Sequence, residues 1–149
     1  MRLKTMRFLS LLFTALALAP GLAHLLELPN IINLSAEDYL TVQQIYRGWA
    51  LLGIVLIGAL ILNLVLTTMV RNRPQVFILN LIAFLCIAGT LAVFFTFTYP
   101  ANQQTNNWTM LPPNWLELRK QWEYSHATGA GLELIALITL ILSVLVKDE

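Results

Sequence analysis

The chain has 149 residues, of which 58% are hydrophobic and 11% charged, with a formal net charge of +1. That composition excludes an ordinary soluble domain, and the near-neutral balance leaves no electrostatic footprint for nucleic acid. One cysteine, Cys86, lies inside an apolar run, which excludes an internal disulfide and a Cys-based metal motif.

The first apolar run, near Phe8–Leu26, follows Arg2, Lys4 and Arg7. It has the outline of a signal peptide ending at "GLA" before His24, but the run continues through Leu25 and Leu26. A retained helix is therefore expected. Pro20-Gly21 is expected to loosen it one turn before His24, and Glu27 follows His24 at a spacing that shares a face. The connection from Leu28 to Ile45 has no Lys or Arg, only Glu37 and Asp38.

The second run, Tyr46–Val70, is read as opening in "QQIYRGW", which groups Gln43, Gln44, Tyr46, Arg47 and Trp49. A tight turn with Arg71 and Arg73 leads to the third run, Val76–Tyr99, which closes in "TYPANQQTNNW" with Tyr99, Pro100, Asn102 and Trp108. Asn63 and Asn80, inside these runs, read as interhelical glue. The fourth helix should begin outside the membrane. Pro112-Pro113 is a stop, Asn114 an N-cap with Glu117 three residues on, and the span runs from His126 to Val146. At 3.6 residues per turn Trp115, Arg119, Trp122, His126 and Glu133 share one narrow stripe, with Glu123 beside it. Gly129, Ala130 and Gly131 permit close approach of a helix or ligand. A carboxylate at the depth of Glu133 costs about 2.5–3.5 kcal/mol on insertion scales, so the stripe should face the bundle interior.

Each run suffices for the roughly 20 helical residues that a hydrocarbon core requires, and backbone groups in lipid must be satisfied within the segment. The expected fold is all-α, a single-domain integral membrane four-helix bundle with helices near 8–26, 46–70, 76–99 and 114–146. Lys and Arg gather at the N-terminus, at the turn after helix two and at Lys147, which predicts cytoplasmic N- and C-termini and two outward connections. In a bacterium this would be the inner membrane. All four Trp, all four Tyr and both His fall at the outer ends. An aromatic belt alone should mark both interfaces, so the polar pocket is expected on the extracytoplasmic side.

Two pairs, His24-x-x-Glu27 and Glu123-x-x-His126, have mirror spacings on helices one and four. Facing pairs of this kind hold metals in four-helix carboxylate proteins. Too few further carboxylates are present for two metals, so the metal reading is a single transition metal on His24, His126, Glu123 and Glu27. Against it stands an interface of hydrogen bonds and ion pairs with Arg47 and Arg119. No nucleophile elbow, phosphate loop, dinucleotide fingerprint or zincin motif is present.

Taken together, "AHLLELPN", "QQIYRGW", "YPANQQTNNW" and "WLELRKQWEYSH" resemble the anthrone oxygenase-like family of small four-helix membrane proteins, a domain of unknown function (DUF1772). The resemblance spans nearly the whole chain. It implies oxidation of an aromatic substrate by O2 and nominates Asn102, Arg119, Trp122 and His126. Many members carry a basic residue shortly after that histidine, where this chain has "ATGAG". Two mechanisms suit such an oxygenase. In the cofactor-free one, His126 or His24 removes a substrate proton, Glu123 orients the base, and Arg119 or Asn102 stabilises the enolate. In the other, the His/Glu set holds a redox metal. Glu133, Tyr46, Arg47 and Trp115 would complete the pocket. The rival expectation is a non-enzymatic accessory subunit, or a module whose outer aromatic surface binds lipid or a membrane protein partner.

Overall fold

The computed structural model of the chain describes residues 2–146, which contain helices and no strand. Lys147, part of the charge argument above, lies outside the described residues. The long helices are α1 (Arg2–Ile31), α3 (Gly53–Met69), α4 (Pro74–Val93) and α6 (Trp115–Leu145), and the short ones are α2 (Ala36–Gln43) and α5 (Tyr99–Gln104). A 3₁₀ turn, Trp49–Leu52, leads into α3, and a π-helical segment, Phe94–Thr98, joins α4 to α5. The four resulting spans are Arg2–Ile31, Trp49–Met69, Pro74–Gln104 and Trp115–Leu145, each long and apolar enough to cross a membrane. Their outer faces carry Phe8, Leu12, Ile54, Ile61, Ile78, Leu85 and Leu145 exposed, as a lipid-facing surface requires. This is an integral membrane bundle.

Packing closes the ring α1–α3–α4–α6, so neighbouring helices run antiparallel, up-down-up-down. Lipid tails are as apolar as leucine, so close fit and polar contacts hold such helices together rather than hydrophobic burial. Ala59, Leu66, Val76, Ala83, Ile87, Ala136 and Leu140 fill the half near the chain termini. Asn63 Nδ2 donates to Thr14 Oγ1 at 3.0 Å and to Ala59 O at 2.8 Å, tying α3 to α1. The other half is packed with aromatic rings instead.

Several boundaries differ from expectation, each for a local reason. α1 continues unbroken through Pro20 and Pro29; neighbouring helices support a proline-bearing span that would falter in water. The second span starts at Trp49 rather than Tyr46 because Gly48, at φ +89°, turns the chain in the left-handed region open to glycine. "QQIY" therefore belongs to the outer connection. There, Ser35 caps α2: its Oγ accepts from the Asp38 N–H at 3.1 Å, and Glu37 and Asp38 sit in the favoured first turn. The third span runs on to Gln104 past Pro100, whose ring opposes a regular α-turn before it; the wider π turn at Phe94–Thr98 accommodates this. Asn114 does stand at the N-cap of α6, but its side chain makes no capping bond.

Candidate functional site

The predicted stripe on α6 does face inward: Arg119, Trp122, Glu123, Gly129, Ala130 and Glu133 are buried. Opposite it, α1 presents His24, and the two histidine rings stack with centroids 4.2 Å apart at 27°. Tyr46, Trp49 and Trp122 surround His24 at 4.5, 5.7 and 5.0 Å between centroids. The structure thus joins residues from three parts of the sequence.

Hydrogen bonding organises the cage. His24 Nδ1 lies 2.9 Å from Glu27 Oε1, and the Tyr46 hydroxyl donates to the same oxygen. A carboxylate only accepts, so Nδ1 carries the proton and Nε2 of the neutral ring is left as the acceptor. Trp122 Nε1 donates to Asn102 Oδ1 at 2.7 Å, which fixes the indole and leaves the Asn102 amide nitrogen without a protein partner among the described residues.

Around this cage lies a cavity of about 760 Å³, within the range of sites for small organic ligands. His24, His126, Tyr46, Arg47, Asn102 and Trp122 line it, and Glu133 stands deeper, beside Gly21 and Ala130. Its remaining wall runs between α3 and α4 through Leu56, Leu91, Thr98, Ile54, Ile57 and Phe95. Ile54 is 70% and Phe95 63% exposed, so the lining reaches the lipid-facing surface, as it also reaches the exposed Gln44, Arg47 and Thr109 of the outer connections.

Four nominated residues stand off the cavity wall: Arg119, Trp115, Glu27 and Glu123. Glu27 acts through His24. Glu123 does not meet His126; its Oε1 accepts from the Tyr39 hydroxyl at 2.9 Å, and Gln43 Nε2 donates to Tyr39 at 2.8 Å. Among the described residues Arg119 makes no ion pair. Its Nη1 donates to Leu34 O at 2.8 Å, and its guanidinium lies 4.7 Å from the Trp115 ring centroid and 5.3 Å from that of Tyr39. Arg47 likewise bonds Gln44 rather than a carboxylate. Arg119, Glu123, Tyr39 and Trp115 therefore pin α2 over the end of the bundle. Among the described residues no group of three or more His, Cys, Asp or Glu is arranged to hold a metal ion. The mirror pairs share a level, but each carboxylate turns to a tyrosine.

Sequence reasoning overlooked Tyr39 and Gly21 as parts of the site, whereas Trp108 was named at the end of the run that closes the third span. Trp108 is 2% exposed, with its ring 5.0 Å from Tyr39 and 5.9 Å from Trp122. It sits in a run of three positive-φ residues, Asn106, Asn107 and Trp108 at 48°, 55° and 58°.

Burial pushes the Tyr39 and Tyr46 phenols above their ordinary value of 10.0, and Glu123 and Glu27 respectively push the same way. Both therefore remain neutral donors. The folded chain keeps these protons where an unfolded chain loses them, so stability is complete below pH 10.0 and falls as pH rises beyond it. Thermal midpoints in mild detergent should decline above that pH, and Tyr39→Phe should flatten the decline. An unchanged slope in that variant would contradict the assignment.

The fold and site define an integral membrane four-helix protein with a histidine-bearing cavity whose lining reaches the lipid-facing surface. No protein-family model, curated protein or solved structure matches the chain.

Proposed function

We propose that this chain is a membrane oxidoreductase of the anthrone oxygenase type, which oxidises a small, flat aromatic substrate with O2 without a cofactor. The relay Tyr46–Glu27–His24, opening into the cavity, is the observation that carries this reading. Glu27 fixes the tautomer and orientation of His24, and Tyr46 fixes Glu27. The imidazole thus presents a free Nε2 to a bound substrate, the requirement for a positioned general base.

The chemistry balances without further reagents. His24 Nε2 takes a proton from an acidic ring methylene, and the resulting carbanion is delocalised as an enolate. O2 bonds to that carbon and accepts its electrons, and His24 returns the proton to give a hydroperoxide. Loss of the second C–H proton with cleavage of the O–O bond leaves a ketone, so methylene plus O2 becomes carbonyl plus water. Asn102 offers its free amide N–H to the enolate oxygen. Trp49, Trp122 and Trp108 keep water from the reactive carbanion. Arg119 has no part in this step, because its guanidinium is committed to Leu34 and Trp115. The dispersed carboxylates favour the cofactor-free route over the metal route.

Charge supports cytoplasmic termini and an extracytoplasmic cavity. Arg2, Lys4 and Arg7 lie at the cavity-distal end, with Arg71 and Arg73 at the turn there. The positive-inside rule then favours that end as cytoplasmic, with the cavity in the extracytoplasmic leaflet.

The test is O2 uptake with anthrone as probe, using protein purified in mild detergent and dialysed against a chelator. Anthraquinone formation at an undiminished rate after dialysis is expected. Activity that disappears on dialysis and returns with one metal would replace this mechanism by the metal one. No oxidation of any aromatic methylene would leave the binding-module alternative, for which a cavity lining that reaches the lipid-facing surface is the supporting observation.

A further inference from the structure

Three carboxyl groups are held at this end of the bundle, and they differ in one respect. Glu27 is bonded by His24 and Tyr46, and Glu123 by Tyr39. Glu133 is 5% exposed and has no protein hydrogen bond or ion pair among the described residues. A buried carboxyl without a partner is costly, and native folds rarely leave one unexplained. Its surroundings are built around it. A Cβ on Gly21 would lie 2.8 Å from Glu133 Oε2 and 3.3 Å from Ala130, so the missing side chain at position 21 makes the space the carboxyl occupies. The cavity is the direction left open to it.

His126 and Glu133 lie on the same inward face of α6, seven residues apart, a rise of about 10 Å. The lining there includes Leu56, Leu91 and Phe94, together with Thr90, whose hydroxyl is already bonded to Cys86 O and Gly129 O. Polar chemistry therefore stands at both ends of the cavity with a largely apolar slot between. A six-membered ring oxygenated at opposite carbons, with a hydrogen bond of about 2.8 Å at each end, fits such a span.

We infer that Glu133 is the deep recognition group of this cavity, accepting a hydrogen bond from a hydroxyl or amino group on a flat ligand whose opposite end meets the histidine pair. A carboxyl oxygen accepts in either protonation state and a protonated carboxyl also donates, so a hydroxyl or amino group, which can donate and accept, partners Glu133 in both. The inference rests on the aromatic-substrate reading above for the class of ligand. Its test reads binding rather than oxidation, which separates the two.

Calorimetric titration under argon in mild detergent compares 1,4-dihydroxynaphthalene, with donors at both ends, against 1-naphthol, with one. Wild-type protein should prefer the diol by about tenfold or more, as expected when a buried hydrogen-bonding group gains its partner. Glu133→Leu should bind both alike. In case that variant folds poorly, infrared difference spectra give a second readout on Glu133→Gln, which keeps the side-chain shape. A carboxyl band that shifts on diol binding in wild type should be missing from Glu133→Gln. No diol binding, no preference in wild type, a preference that survives in Glu133→Leu, or a band shift that survives in Glu133→Gln would overturn the assignment. A Glu133-dependent preference in protein that oxidises no anthrone would uphold it and sink the oxygenase reading alone.

Discussion

Alanine at position 24 is expected to lower turnover of an anthrone-type substrate by roughly 10²–10⁴-fold, the contribution of a positioned general base. The variant should remain folded, because His24 makes one side-chain hydrogen bond, to Glu27, and the aromatic rings around it have one another to pack against. Glu27→Gln should reproduce much of the loss. An amide in that place can donate to Nδ1 and stabilise the opposite tautomer, which takes the acceptor away from Nε2. Tyr46→Phe should act more weakly, since Glu27 keeps His24. The decisive comparison is with His126, which stacks on His24 but makes no side-chain hydrogen bond among the described residues. Full activity in His24→Ala together with loss in His126→Ala would move the base to the other ring and reduce the relay to a structural role.

The largest loss of stability is expected at a residue that shields the site without touching a reacting atom. Trp108→Ala should cost about 3–5 kcal/mol, the usual range for removing a fully buried large aromatic. The indole touches the rings of Tyr39 and Trp122 from a loop rather than a helix, so it welds the segment after α5 to α2 and α6. It also holds an unfavourable backbone. Positive φ is uncommon for a bulky residue, and here Asn106 and Asn107 share it. The Trp108 N–H donates to Thr105 Oγ1 at 3.1 Å, and Asn107 N–H to Asn102 O at 2.7 Å, bonds that stabilise the turn. With the indole gone, less remains to offset that strain. A thermal midpoint within a degree or two of wild type would show that the loop is not a structural cap.

The spans were legible because about 20 apolar residues in a row admit few interpretations. The inward face of α6 was legible too, since the 3.6-residue period places Arg119, Trp122 and Glu133 together whatever lies opposite. Partner choice was not. The spacing of His24 and Glu27 fixed a local pair that the structure contains, whereas the equal spacing of Glu123 and His126 led to the wrong pair. Glu123 turns to Tyr39, 84 residues away, and long-range pairing leaves no trace in local spacing. α2 left one readable sign: Ser35 with Asp38 three residues on is a capping signature lying inside a connection read as loop. Arg119 was nominated by the resemblance and by its place on the stripe, and what the sequence could not show is that its guanidinium packs on Trp115 and Tyr39, off the cavity wall. Of the three left-handed residues before Met110, Asn106 and Asn107 are of a type that tolerates that region, a readable sign of a turn, whereas nothing marked Trp108 as its continuation.

The stretch of cavity lining that reaches the lipid-facing surface between α3 and α4 bears on how this protein should be assayed. A ligand that reaches the cavity past Ile54 and Phe95 comes from the surrounding amphiphile rather than from bulk water. Occupancy is then governed by mole fraction in that phase. Adding detergent at constant total substrate would dilute the substrate in two dimensions and raise the apparent KM, with kcat unchanged. Saturation curves from different micelle concentrations would coincide only when plotted against substrate per detergent molecule.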